Sequence, residues 1–455
     1  MPDEHFKLVS RWHQNLDPRR VIDLSQEDGR DKQLYVELDA WRHEGQTWNL
    51  RGPPAVVSMF RAIRLAADEP EAASAHLFSG FRGTGKTTEL SRLTELLREK
   101  NFTVLRVSAR KYHNLSRALS PEEFAVLLAA GIGEAALELV GETQLVELRK
   151  RGVWERISGS LKTLFSKSEL VFKFGVADLK PALFQGAGLK QNLGELLGDR
   201  PDQTQAFLHD FVRDITEALH PRQLVVLVDD LEKYDVPTDR VAAVYEDMKE
   251  IFFSASTLLK LPCHVVYTVP PYVALLNRSI KDKYDGNLYL LPSVKLRSRP
   301  PERLPFAPGI SAYEALLAQR VDLDRLFGDQ RERCLERLIV ASGGNLRDLF
   351  SLLRGPVKAA LDQELPVGLA EAEASIRLHA GHFRLTREPY ELVRDIRRRG
   401  VLLDVDTQRQ RGFADALDQR LLLCYWNGDF WYDSHPLIEP QLDDADSAET
   451  AAGPA

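Results

Sequence analysis

The chain has 455 residues, of which 44% are hydrophobic and 28% charged, the composition of a globular protein long enough for two or three domains. Its formal net charge of −7 argues against a polyanion-binding surface spread over the whole molecule and leaves room for a local basic face. No uninterrupted apolar run approaches the roughly 18–20 residues of a membrane helix, and the N-terminal MPDEHFKLVS does not have the pattern of a secretory signal. Cys263, Cys334 and Cys424 lack metal-ligand spacing. The reading is a cytoplasmic protein with reduced core thiols and no membrane contact.

Residues 1–50 form a polar N-terminal segment in which QLYVEL reads as an edge strand. From there strands and helices alternate. AHLFSG is a short apolar run ending in glycine, TTELSRLTELLREK places Leu90, Leu93 and Leu97 on one helical face, and FTVLRVSA is the next strand. The following parallel-type strand, LVVLVDD, begins only at Leu224. A simple crossover needs about a dozen residues, so the stretch between is read as an insertion, assigned to 110–205. It opens with a capping box at Ser120-Pro121-Glu122-Glu123 and a helix through FAVLLAAGIGEAALELV. A hairpin or two short strands follow in ELVFKFGVADLKPALF. The insertion closes with a helix carrying Phe207, Phe211 and Ile215 on one face.

Beyond LVVLVDD the pattern predicts a helix over about 239–259, then strands CHVVYTVP and LYLLPSVKL. The proline-rich RSRPPERLPFAPG reads as a linker. Three helical stretches follow, the first with a capping box at Ser311/Glu314. The last structured segment ends in the hairpin RLLLCYWNGDFWYDSHPL, with Asn427-Gly428 as a type I′ turn signal. The resulting division is an N-terminal segment (1–50), an α/β core (51–300), a helical lid (301–370), a C-terminal helix–hairpin domain (371–440) and a disordered acidic tail (441–455).

The chemistry begins at SGFRGTGKTTEL. Gly80, Phe81, Arg82, Gly83, Thr84, Gly85, Lys86, Thr87 and Thr88 carry the pattern G-x-x-x-x-G-K-T between a predicted strand and an amphipathic helix. Glycines let successive backbone N–H groups turn inward onto phosphate oxygens, and the helix adds the positive end of its dipole. Lys86 is expected to reach the β- and γ-phosphates, and the Thr87 hydroxyl to ligate Mg²⁺. A nucleoside triphosphatase also needs a second strand that delivers a carboxylate to the magnesium. LVVLVDD fits: Asp229 is the magnesium-side residue and Asp230 faces the attacking water. The GTPase signature N-K-x-D is absent.

Together the phosphate loop, the strand ending in Asp229-Asp230, the HVVYTVP strand and SGGNLRDLF resemble the AAA+/STAND group of P-loop ATPases, over about residues 55–355. The resemblance implies a three-layer parallel-sheet core of the ASCE class with a helical lid, and ATP with Mg²⁺ bound between core and lid. It implies a sensor-one residue at Thr268 and a sensor-two arginine at Arg347, with Asn345 as helix cap. Arg278 is the one arginine in position to act as a finger in trans, in a homo-oligomer. Two features depart from the group: the long 110–205 segment, and Asp230 where relatives carry glutamate. The C-terminal helices and hairpin resemble a winged helix. Residues 380–420 hold nine arginines against seven acids, so a basic helix beside a wing makes DNA contact an alternative. Tyr425, Trp426, Phe430 and Trp431 read as a small core.

The expected activity is therefore a magnesium-dependent ATPase acting as a slow nucleotide-driven switch for a protein partner. Bacterial conflict or defence is suggested by fold-level analogy. The alternatives are an ATP-loaded DNA-binding initiator or regulator, and a signalling scaffold that holds nucleotide without hydrolysing it.

Overall fold

The computed structural model describes residues 2–25, 29–69, 73–111, 120–139, 201–219, 222–231, 241–277, 279–383, 385, 387–402 and 406–444. The expected strands in ELVFKFGVADLKPALF, and Arg278, lie outside these residues. The chain divides into two compact units, each described by itself: one of residues 55–79 and 93–290, the other of residues 1–54, 80–92 and 291–455.

The first of these units is built on a five-stranded sheet. After the short strands β1 (Trp41–His43) and β2 (Gln46–Trp48), which belong to the other unit, its members are β3 (Ser74–Gly80), β4 (Thr103–Ser108), β5 (Leu224–Asp229), β6 (His264–Val269) and β7 (Leu288–Leu291). Their order is β4-β5-β6-β3-β7. β3 pairs with β6, β6 with β5 and β5 with β4, all in parallel. Every residue of β5 and β6 is buried, as expected for parallel strands covered on both faces, and that is why their sequences are unbroken apolar runs rather than alternating ones.

The register brings Ser108 opposite Asp229 and Phe78 opposite Thr268. The carboxyl ends of four strands therefore form one row, the edge at which open α/β sheets carry their ligands. β6 stands between the phosphate-loop strand and the carboxylate strand, which is the ASCE arrangement.

The long crossover from β4 to β5 is in part core. The helix Pro121–Leu139 packs on β4 and buries Phe124, Ala125, Leu128, Ala129 and Ile132. Phe124 meets Phe252 and Tyr267 edge-on or tilted, at 6.0 and 6.3 Å between ring centroids. The helix Pro201–Leu219 lies against it through Leu208, Phe211, Val212 and Ile215. Residues 121–139 thus belong to the layer covering the sheet.

The other unit contains the phosphate loop and most of the helices. QLYVEL is not a strand: Arg30–Leu34 is a short helix, and the extended pair is β1 with β2. Their two-residue turn, Glu44-Gly45, has φ of 48° and 77°, the signature of type I′. The polar first residues form a helix, Pro2–Asn15. Its Val9 and Trp12, with Leu16 just beyond it, are buried, and it packs on the helix Leu346–Asp362.

The lid helices are Ala307–Ala318, Leu323–Phe327, Arg331–Ala341, Leu346–Asp362 and Leu369–Ala380. Because the first begins at Ala307, Ser311 sits inside it and cannot be its cap. The expected linker is docked. Arg297 donates to Glu439 at 2.7 Å and to the Ser434 carbonyl at 2.9 Å, and Arg303 Nε donates to Asp433 at 2.9 Å.

The C-terminal part consists of helices Arg387–Arg399 and Thr407–Asp418 and the hairpin of β8 (Leu422–Trp426) with β9 (Phe430–Ser434). Trp426 pairs with Phe430, which leaves a three-residue loop. Of its residues only Gly428 has positive φ (88°), so the turn is not type I′. Tyr425 and Trp431 stack at 4.5 Å in a small core with Leu423. The tail is not free from residue 441: Leu442 is fully buried and Gln441 donates to the Phe383 carbonyl at 3.1 Å. All three cysteines are buried free thiols. No described helix is long and apolar enough to cross a membrane.

Candidate nucleotide-binding site

β3 runs into the glycine loop, and the helix Lys86–Arg98 begins at the lysine. Gly83 and Gly85 have φ of 89° and 94°, a region costly for any residue with a Cβ. Thr84 closes the loop on itself by donating Oγ1 to the Phe81 carbonyl at 2.9 Å. Lys86 is buried, and its Nζ donates to the Gly80 and Phe81 carbonyls at 2.7 and 3.2 Å. The ammonium is held over the first turn of the loop, where an anion bound by the loop amides would meet it. Thr87 and Thr88 are half-buried in the first turn of the helix, and Arg82 is exposed at the loop crown.

The lid binds the loop's backbone. Asn345 caps the helix Leu346–Asp362 by accepting from the N–H groups of Arg347 and Asp348 at 3.0 and 3.3 Å, while its Nδ2 donates to the Arg82 carbonyl at 2.7 Å. The Arg347 N–H also donates to the Gly83 carbonyl at 3.3 Å. A Cβ on Gly83 would lie 2.3 Å from Asn345 Oδ1. The lid's first turn thus packs against Gly83 too closely for any side chain there. A buried lysine and a helix N-terminus suit a nucleotide's phosphates. Burial first, then the charges of Arg82 and Arg420, pull Arg347 below the usual arginine pKa. Cations crowded in this way are stabilised by an anion.

The N-terminal segment is anchored to the helix Lys86–Arg98. Ser91 Oγ donates to Asp23 at 2.6 Å and accepts from the Leu24 N–H at 2.7 Å. Arg51, fully buried, donates to Asp39 and to Glu89 at 2.9 and 2.7 Å. Glu89 lies one turn beyond Lys86, so this buried pair fixes the helix that the loop opens.

The carboxylate strand carries its own constellation. Asp229 is the last residue of β5 and is buried. Asp230 follows with φ 72°, an uncommon conformation that aspartate tolerates better than most residues. It is held there from three sides. Its N–H donates to Asp229 Oδ1 at 2.7 Å, its Oδ2 accepts from Ser108 Oγ at 2.5 Å, and the next N–H, of Leu231, donates to Thr268 Oγ1 at 3.2 Å. Thr268 is fully buried at the end of β6. Nothing in the sequence singles out Ser108, because a serine ending a strand is ordinary; the pairing of β4 with β5 brings it to this row.

The structure therefore brings Gly83, Asn345 and Arg347 together in one unit, and Ser108, Asp229, Asp230 and Thr268 together in the other.

The strand order, with a glycine loop after β3 and two aspartates at the end of β5, is a P-loop α/β fold of the ASCE class, the class of the AAA+ group that the motifs resemble. Among solved structures, the chain is similar to Cdc6p from Pyrobaculum aerophilum, at TM-score 0.36 and 11% identity over 92% of this chain and 98% of that one. It is also similar to the Aeropyrum pernix ORC2 protein. With the ADPNP–ADP complexes the TM-score is 0.40 at 12% identity, over 87% and 94% of the two chains. With the ADP form it is 0.38 at 12% identity, over 95% and 98%. No family model matches the chain, and no curated protein matches it.

Proposed function

We propose that this protein binds ATP with Mg²⁺ and hydrolyses it slowly, as an AAA+/STAND-type switch whose lid position depends on the nucleotide. The observation that supports this most is the direct hydrogen bonding of the lid helix's first turn to the phosphate loop, through Asn345 to Arg82 and through Arg347 to Gly83. A loop that only held a ligand would not need its backbone tied to a separate helical layer.

In this reading the loop amides and Lys86 bind the phosphates, and Arg347 offers its guanidinium to the γ-phosphate. Thr87 and Asp229 would hold the metal, which would supply positive charge against the phosphates. Asp230 orients and deprotonates the attacking water. Thr268, whose hydroxyl accepts from Leu231, keeps the segment after Asp230 in place. Aspartate is one methylene shorter than the glutamate of relatives, so it approaches the water less closely, and slow turnover follows. Arg278 is the proposed finger in a homo-oligomer.

The C-terminal helices and hairpin are the module we assign to a winged helix that meets a protein partner. Contact with DNA is supported less. Arg397 is paired with Asp443 at 2.7 Å, and Arg399 and Arg409 with Asp395 at 2.9 and 2.8 Å, so much of the arginine surplus is already neutralised.

Titration with a fluorescent ATP analogue in the presence of Mg²⁺ tests the reading. Wild type is expected to bind in the micromolar range or tighter, and Lys86→Ala to lose at least about a hundredfold, the worth of one or two charge-assisted hydrogen bonds. Equal affinity of the two proteins would rule the loop out as the nucleotide site.

A further inference from the structure

One buried carboxylate has no part in the site so far. Asp348 follows Arg347 in the first turn of the helix Leu346–Asp362, and its side chain is 1% exposed. Its Oδ1 accepts from His379 Nε2 at 2.9 Å and from Arg420, and its Oδ2 accepts from His435 Nε2 at 3.3 Å. Burial alone would raise its pKa. The hydrogen bonds from His379 and His435 and the charge of Arg420 outweigh that and hold the carboxyl well below the usual range. An ionised group this deep is retained only with such a set of partners.

The partners are what give Asp348 its meaning. Arg420 comes two residues before β8, and His435 directly follows β9, so one carboxylate grips both ends of the C-terminal hairpin. The four residues 345–348 thereby touch two things at once. Asn345 and Arg347 bond to the phosphate loop, and Asp348 bonds to the hairpin's flanks.

The same turn is packed hard against the hairpin. A Cβ on Gly343 would lie 2.4 Å from Leu423 Cδ1 and 2.8 Å from Pro436 Cδ, and Tyr425 donates its hydroxyl to the Gly343 carbonyl at 2.7 Å. Arg420 has φ 61°, an unfavourable backbone for arginine that its bonds must hold in place. Its guanidinium also lies over the Phe383 ring, at 5.1 Å.

We propose that Asp348 is a positioning residue that couples the nucleotide site to the C-terminal hairpin: it fastens Arg420 and His435 to the turn bearing Asn345 and Arg347, so that phosphate bound at the loop and displacement of the hairpin become one event. This rests on the nucleotide reading above. It adds the path by which the switch reaches its partner-facing module. A ligand can shift an element only through interactions that differ between its two positions, and the bonds of residues 345–348 are interactions of that kind.

The test is hydrogen exchange of hairpin amides 422–434 in the full-length protein, with and without a non-hydrolysable ATP analogue, alongside ATP and ADP affinities. In wild type the analogue is expected to change hairpin exchange by about tenfold, and in Asp348→Asn by less than about twofold, a coupling of ordinary size. The variant should still bind nucleotide, with its preference for ATP over ADP reduced about fivefold. A merely structural role would leave that preference intact. Arg420→Gln, at a half-buried site, gives the same comparison if Asp348→Asn folds poorly, and the same uncoupling is expected. Full nucleotide-dependent exchange in either folded variant overturns the proposal. A wild type that binds the analogue while its hairpin does not respond overturns the coupling alone. A wild type that binds no nucleotide overturns the functional reading with it.

Discussion

Asp230, the carboxylate proposed to face the water, shows how much of a position depends on its neighbours. Its identity and its place after an apolar strand are visible in LVVLVDD, but its φ of 72° and its bond from Ser108 Oγ are not. They arise from a register that sets β4 beside β5. Ser108 Oγ restrains one of the Asp230 carboxylate oxygens. Ser108→Ala is expected to leave nucleotide affinity unchanged and to lower kcat about tenfold, a loss of about 1.4 kcal/mol at the transition state. Steady-state kinetics with parallel binding would show it, and a fall in affinity with unchanged kcat would place Ser108 elsewhere in the scheme. The pattern over Gly80 to Thr88 is visible in the sequence because it needs glycine where φ is positive, at Gly83 and Gly85, and one lysine at the helix start. Arg278 lies outside the described residues.

At the scale of elements, the central contact is the lid's first turn against the phosphate loop. Gly83→Ala would put a methyl group 2.3 Å from Asn345 Oδ1 in a backbone conformation that alanine avoids. The variant is expected to lose roughly 1–3 kcal/mol of stability and to bind nucleotide more weakly, measurable by thermal melting with and without ATP. Asn345→Ala removes both the helix cap and the bond to Arg82, and should cost about 1–2 kcal/mol. The asparagine cap was readable from NLRDL, since a short polar side chain before an apolar-periodic run is a helix start.

The N-terminal helix was equally present in the sequence. Val9, Trp12 and Leu16 stand at i, i+3 and i+7, but the polar residues between them masked the stripe. The docking of 297–309 was not readable, because its cause is a long-range pairing. Arg297 and Arg303 find Asp433 and Glu439 more than a hundred residues away, and no local propensity encodes that.

For the molecule as a whole, acid stability depends on two histidines buried in the sheet. His76 and His264 share Ser74 Oγ at 2.7 and 2.8 Å. Burial lowers the pKa of His76 to about 3, with the charge of His264 adding to it, and lowers that of His264 to about 4. Both stay neutral in the folded state while an unfolded chain takes up their protons near pH 6.5. Stability is therefore full above pH 6.5 and falls as the pH drops from there towards 4, by up to about 1.4 kcal/mol per pH unit for each histidine. Urea unfolding followed by circular dichroism at pH 7.5 and pH 5 should show the loss, and His264→Gln should shrink it. A midpoint insensitive to pH over that interval would mean that both histidines titrate in the fold as they do in the unfolded chain.

The parallel sheet itself was legible from its apolar runs. The partition of the crossover was not, because the helix Pro121–Leu139 is apolar on most of its faces and a sequence pattern alone does not show whether such a helix covers a sheet.

The measurement that bears most directly on the account is phosphate release from ATP with Mg²⁺ by wild type, Lys86→Ala and Asp230→Asn, with nucleotide binding followed in the same samples. The account predicts slow release by wild type, loss of both binding and release in Lys86→Ala, and retained binding with release reduced at least about a hundredfold in Asp230→Asn. Release by Asp230→Asn at the wild-type rate would contradict it, and would remove the carboxylate after β5 from the chemistry.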